Sequence, residues 1–223
     1  MWNLNEHLEK HRTEITDWMV QKRSEVAIPI YGSVDVRDAG WKIGVVDANH
    51  FPAGFNNVSI EEGRELSVLF GEHLQRTHPG CSWVHIYPEN HTRNPAYIEN
   101  IASIKRIVEH AGYRCTVGSP ELSEHAVLNG TSGPLELTQV TISKMDELLI
   151  DGASPDLILL NNDLTNGHIP GVASPNVTPP PHMGWFRRRK SQHYEALRTY
   201  VVEMADLLKL DPWHLMPDWM GSE

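Results

Sequence analysis

Apolar residues recur at helical spacing over Asn3–Arg23, where Leu4, Leu8, Ile15, Trp18 and Met19 share one side and charged residues fill the rest. That spacing predicts an amphipathic N-terminal helix whose role is packing. Val26–Tyr31 and Trp41–Val46 read as short strands on either side of the polar segment Gly32–Gly40, and Asp47–Asn57 shows no regular pattern. Helix resumes at Ser59, a suitable N-cap with Glu61 and Glu62 in the first turn, and runs toward Thr77. Ser82–Tyr87 (SWVHIY) is a β-rich run that stops at Pro88. After ENHTR, the pair Asn94-Pro95 supplies an N-cap and a first-turn proline for a helix that buries Tyr97, Ile101, Ile104, Ile107 and Val108 and ends at Gly112. Tyr113–Val117 then reads as a strand, which makes a unit of about the length of a parallel βαβ crossover. Leu135–Ile142 alternates as a strand should, Leu157–Leu160 is a short, wholly apolar strand, and a final helix spans about Ser191–Leu210.

This order predicts an α/β fold, an open and mainly parallel sheet with flanking helices. Residues 1–25 form the N-terminal helix and 26–223 the α/β part of what is otherwise a single domain. In such sheets ligands bind beyond the carboxyl ends of the strands. Two polar clusters fall at such ends: ENHTRN (Glu89–Asn94) after SWVHIY, and NND (Asn161–Asp163) after LILL. If both strands are parallel, the clusters face one cleft.

Composition narrows the function. With 223 residues, 40% hydrophobic and 22% charged, the chain has enough apolar surface for a full core. A formal net charge of -10 and a pI near 5.7 argue against a general nucleic-acid binder, which needs a cationic face. No apolar run is long enough for a membrane span and the first residues are charged, so a cytoplasmic protein is expected. Cys81 and Cys115 are far apart and lack CxxC spacing, which predicts reduced thiols. Thirteen histidines invite a metal reading, yet there is no HExxH or comparable helical pair, and no metal ligands are assigned. The proline-rich stretch Ile169–Met183 reads as a long ordered loop or an active-site lid. GxGxxG, GxxxxGK[ST] and GxSxG motifs are all absent, so no nucleotide site is recognisable.

The polar clusters carry the candidate chemistry. Glu89, His91 and Arg93 precede a helix whose free N–H groups favour an anion, and the Arg93 fork suits a carboxylate or phosphate; alternatively, Asn94 caps the helix while His91 and Arg93 pair with nearby acids. In RRRKSQH, Arg187, Arg188, Arg189 and Lys190 stand at the start of the last helix, where the macrodipole disfavours cations. Protein carboxylates or a bound phosphate or substrate carboxylate would offset them. Asn161, Asn162 and Asp163 suit an amino group, or equally Asx turns. Asp35 and Arg37, two apart on a strand, suit the two ends of an amino acid, or each other. FPAGFNN, with Asn56 and Asn57, combines aromatic walls with fixed amide donors, as a small-molecule pocket needs.

Taken in series, SVDVRDAGWKIGVVDANHFPAGFNN, YPENHTRN, LILLNNDL, GWFRRRKSQH and DPW resemble the proteobacterial-type glutamate-cysteine ligases, ATP-grasp-like enzymes of glutathione biosynthesis. The match runs in the family's order from about Ile28 to Pro217. The resemblance implies ATP-dependent formation of a γ-glutamyl phosphate from L-glutamate and its capture by the amine of L-cysteine, with magnesium. It implies that Arg93, Arg188 and Lys190 are catalytic cations and that Ser33, Asp35, Arg37, Asn56, Asn57, Glu89, His91, Asn161, Asn162 and Asp163 bind or support substrate. Asp38 and His50 depart from the expected asparagine or apolar residue. The family's chains are about twice this long, so the chain resembles an amino-terminal, substrate-side half. ATP and Mg2+ are then expected mainly on an ATP-grasp half joined in cis or supplied in trans. A homo-oligomer is a further candidate assembly if an apolar face is exposed. The alternative is an amino-acid-binding or regulatory module without catalysis.

Overall fold

Two short helices stand where the spacing predicts one. In the computed structural model, which describes residues 3–187 and 189–217, α1 (Leu4–Lys10) and α2 (Arg12–Glu25) are separated at His11. Asn3 caps α1 by accepting from the Asn5 amide at 2.9 Å. The expected apolar stripe is replaced on α2 by an aromatic and cationic seam, because none of its residues is fully buried. Trp18 meets Tyr200 edge to face, and the Lys22 ammonium lies over both rings and pairs with Glu203 at 2.6 Å.

The next elements correct the strand positions. Strand β1 is Ser33–Asp38 and β2 is Ile43–Asn49, paired antiparallel, whereas Val26–Tyr31 contains no strand and Asp47–Asn49 is regular after all. The physical reason lies in the residues. Pro29 has no N–H to give a ladder, while Ser-Val-Asp-Val-Arg-Asp alternates with the period of a strand. Ser33 pairs with Asn49 and Asp35 with Asp47, but Val36 pairs with Val45, so Val46 is the extra residue of a bulge. Gly44 lets the chain near Pro217 approach closely, since a Cβ there would stand 3.2 Å from the Pro217 nitrogen and that segment would have to give by a few tenths of an ångström.

Residues 50–187 form a separate compact unit, and the first unit comprises residues 1–49 and 188–223. By its contacts the chain divides at 49/50 and 187/188. In the second unit, a 3₁₀ turn over Phe55–Asn57 leads to α3 (Ile60–Thr77). Ser59 closes a full capping box on α3: its hydroxyl accepts from the Glu62 amide and Glu62 accepts from the Ser59 amide at 2.8 Å. Replacing Ser59 by alanine should lower stability by about 1 kcal/mol, read from the urea midpoint.

Strand β3 (Trp83–Pro88), helix α4 (Pro95–His110) and β4 (Arg114–Val117) make the expected crossover, with Asn94 capping α4 through the Tyr97 amide at 3.2 Å. Two small antiparallel ribbons follow, β5 (Val127–Asn129) with β6 (Pro134–Glu136) and β7 (Thr141–Ile142) with β8 (Leu148–Leu149). The single strand expected over Leu135–Ile142 is thus split. Its middle runs beside β4 instead, where the Thr138 amide donates to the Val117 carbonyl at 2.7 Å. Strand β9 (Leu157–Asn161) and β10 (Val177–Thr178) complete a four-stranded sheet of order β10-β9-β3-β4, parallel throughout. Because β10 belongs to the Ile169–Met183 stretch, that loop is anchored to the sheet. Helix α5 (Lys190–Leu208) then returns to the first unit, where Tyr194, Leu197 and Val201 pack with Val45 and Met216.

Within the sheet, Trp83, Tyr87, Ile158 and Leu160 belong to one apolar cluster with Phe51 and Ile169. His85 lies between Trp83 and Tyr87 and is fully buried. Three donors and acceptors satisfy it in sequence. The Trp83 indole donates to the Thr116 hydroxyl at 2.9 Å, that hydroxyl donates to His85 Nδ1 at 2.9 Å, and His85 Nε2 donates to the Gly118 carbonyl at 3.0 Å. The ring is a neutral core group. Both cysteines are free thiols, as expected.

Candidate functional site

The register Pro88↔Asn161 brings the carboxyl ends of β3 and β9 side by side, so the ENHTRN and NND clusters do meet at one mouth. Glu89 is held there at both ends. Its amide donates to the Tyr97 hydroxyl at 2.8 Å, and that hydroxyl donates to the Asn161 carbonyl at 2.8 Å. Its carboxylate accepts from the Asp163 amide at 3.0 Å through Oε1 and pairs with His91 Nε2 through Oε2. The His91 ring also stands edge-on to Tyr97, centroids 5.0 Å apart. Burial raises the Glu89 carboxyl above its ordinary value; the Asp163 amide opposes this, the Asp163 charge adds to it, and His91 draws it back down. The result is a carboxylate kept in place by structure and sensitive to its charge partners.

Asn161 and Asn162 are occupied by the fold. Asn161 is 1% exposed; its amide nitrogen donates to the Pro52 carbonyl at 3.0 Å, and its side-chain oxygen accepts from Asn100 at 3.3 Å. Asn100 in turn accepts from the Phe55 amide at 2.9 Å. This chain of amides ties β9 to α4 and to the FPAGFNN loop, which makes Asn161 a support. Asn162 accepts from the Leu164 amide at 3.0 Å and so stabilises the left-handed backbone at Leu164, φ 57°. Asp163 accepts from the Thr165 amide at 3.0 Å. Of the remaining predicted residues in this unit, Asn56 and Asn57 lie on the 3₁₀ turn and bond to each other at 3.3 Å. Arg93 is exposed and, among the described residues, makes no hydrogen bond or ion pair. It is the cation at this mouth with its fork available.

Ser33, Asp35, Arg37 and Lys190 belong to the first unit. Pairing places Ser33, Asp35, Asp47 and Asn49 on one face of the β1–β2 ribbon, and Arg37 follows at the next position of that face, opposite Gly44. Two carboxylates directly opposite repel, and the Lys190 ammonium relieves one of them by pairing with Asp47 at 3.0 Å. This also supplies the anion that a cation at the start of α5 requires, so for Lys190 the protein carboxylate is the observed solution. Asp35 and Arg37 form no ion pair with each other, and both are exposed. Arg188 lies outside the described residues.

Sequence reasoning missed Asp47, Tyr97 as a polar link, and Asn100. Asp47 had no signal until its partner across the ribbon was known. Tyr97 and Asn100 had one that was overlooked, polar atoms three apart on the buried face of a helix. Among the described residues, no three His, Cys, Asp or Glu side chains are grouped to hold a metal ion, and no helix is long and apolar enough to cross a membrane.

No curated protein matches the sequence. The crystal structure of "Putative gamma-glutamylcysteine synthetase" from Methylobacillus flagellatus KT is similar, with 34% identity and a TM-score of 0.84 over 96% of this chain and 51% of that one. The present chain therefore spans about half the length of that relative. The family model described as GshA, glutamate-cysteine ligase, matches residues 5–222. With that match and the fold shared along nearly its whole length, the chain belongs to the glutamate-cysteine ligase family.

Proposed function

We propose that this chain is the substrate-side part of a glutamate-cysteine ligase, and that the mouth formed by β3 and β9 binds L-glutamate for ATP-dependent joining to L-cysteine. The observation that carries this reading is the likeness of 96% of the chain to about half of a relative named as a γ-glutamylcysteine synthetase. In this reading Arg93 takes a carboxylate of glutamate, since its guanidinium is exposed and unengaged among the described residues. Glu89 and Asp163 face the substrate's amino group, and the amides of Asn161 and Asn162 keep them in place. On the other unit, Asp35 and Arg37 offer a second pair of opposite charges two residues apart on an exposed strand, with Ser33 beside them. Lys190 and Arg188 are the cations assigned to transferring phosphate.

The described residues hold no cluster of three metal-binding side chains, and the sequence has no phosphate-cradling glycine loop. In this reading ATP and Mg2+ are held mainly by a second, ATP-grasp half joined in cis or supplied in trans, and no step through them is derived from this chain.

Titrating the chain with L-glutamate while following thermal unfolding tests the pocket. Ligand at about 100 times its dissociation constant should add about 2.7 kcal/mol of stability. D-glutamate and ATP-magnesium alone should add much less. A cooperative melt that L-glutamate leaves unmoved would remove the pocket from these residues.

A further inference from the structure

We infer that His91 is the proton acceptor for the incoming amine, with Glu89 as its positioning residue; this rests on the ligase reading above. An amino-acid amine arrives near neutral pH mostly as an ammonium, which has no lone pair with which to form an amide. It must lose a proton inside the site. At the mouth of β3 and β9, His91 offers an imidazole lone pair that no described residue takes, on a stronger base than any carboxylate there. Glu89 engages Nε2 of His91, so in the neutral ring the hydrogen sits on Nε2 and the lone pair sits on Nδ1. His91 is half exposed, at 51% of its side chain, and Nδ1 has no partner among the described residues.

The other polar groups there are carboxylates, which can bind an ammonium but are weaker bases than imidazole, or a fixed cation. Glu89 uses one oxygen for the Asp163 amide and the other for His91, Asp163 accepts from Thr165, and Arg93 is already a cation. Orientation is fixed twice over. Glu89 is tied through its own amide to Tyr97, and the edge-on contact with Tyr97 sets the plane of the ring. Among the described residues, Glu89 is the charged group in contact with His91 and the Asp163 charge acts on that same carboxylate; α4 brings the neutral Tyr97 ring against His91, and Arg93 follows two positions along the loop.

The step balances without any further reagent. The ammonium gives a proton to Nδ1, leaving an imidazolium beside the Glu89 carboxylate. The freed nitrogen pair forms the C–N bond to the γ-carbonyl carbon of an acyl phosphate. The C–O bond to phosphate breaks with its electron pair, and the surplus proton on nitrogen leaves with the phosphate.

The test uses the ligase reconstituted from this chain and a nucleotide-binding half, with two acceptors that differ in their need for a base. L-Cysteine arrives as an ammonium, whereas hydroxylamine is largely neutral near pH 7 and captures the activated carboxyl as a hydroxamate. His91→Asn should lower the ratio of cysteine to hydroxylamine rates about 100-fold and leave a cysteine rate that rises with pH in step with the free-amine fraction. Glu89→Gln, which keeps the shape of the contact but not its charge, should lower the same ratio on the order of tenfold. An unchanged ratio in both variants overturns the assignment, as does an equal fall with both acceptors, which would mark a structural role. A parent enzyme that forms no hydroxamate from glutamate and ATP sinks the ligase reading itself, a result distinct from either.

Discussion

Acidification from pH 7 to pH 4 is expected to remove on the order of 3 kcal/mol of stability through His85 alone. The ring is fully buried and its protonation would put a charge into an apolar sheet, so burial pushes its pKa down from 6.5 to about 4, with the Gly118 carbonyl opposing only in part. In the unfolded chain the same ring titrates near 6.5. Between those values the unfolded state binds the extra proton and the folded state does not. Stability from this group is therefore complete above about pH 6.5, falls as the pH drops, and levels off near pH 4. At about 1.4 kcal/mol for each pH unit of separation, the gap amounts to the figure given. Urea midpoints at several pH values, for the parent and for His85→Gln, measure it. Glutamine can still donate to Gly118 but does not titrate, so the variant should show a shallower loss over this window. Parallel curves for the two proteins would mean that His85 is not the group responsible.

Replacing Asn161 by alanine should destabilise the second unit by about 3 kcal/mol, although the position reads from sequence as a ligand contact. The side chain removed satisfies the Pro52 carbonyl and the Asn100 amide, and both of those residues are buried. Each would be left in a dry site without its partner, at a cost of about 1–3 kcal/mol apiece. Asn56, partly exposed at the 3₁₀ turn and donating to its neighbour Asn57, makes the control. Alanine there should change stability by less than about 0.5 kcal/mol. If Asn161→Ala and Asn56→Ala unfold at the same urea concentration, the amide chain does not hold this mouth together. A loss confined to Asn161 would also explain a weaker response to L-glutamate as misplacement of Glu89 and Asp163, since Tyr97 links Asn161 to the Glu89 amide.

The sequence by itself determined the parts whose causes are local. Ser59 with Glu62, and Asn94 with Pro95, mark helix starts because a cap needs only the next three residues, and both helices begin there. The apolar runs at β3 and β9 mark buried strands because a parallel strand covered on both faces has no polar side to show. That those two strands end in polar clusters was likewise legible, and it located the mouth. Tertiary structure decided what each polar residue does there. Asn161 reaches the Pro52 carbonyl across 109 positions of sequence, and Glu89 reaches the Asp163 amide across 74. Asp47 acquires Lys190 only once the ribbon and α5 are placed within their unit. The same amide or carboxylate serves as a ligand contact or as a strut depending on what lies within about 3 Å of it. Strand register and chain return set that distance, and neither is encoded in the few residues on either side.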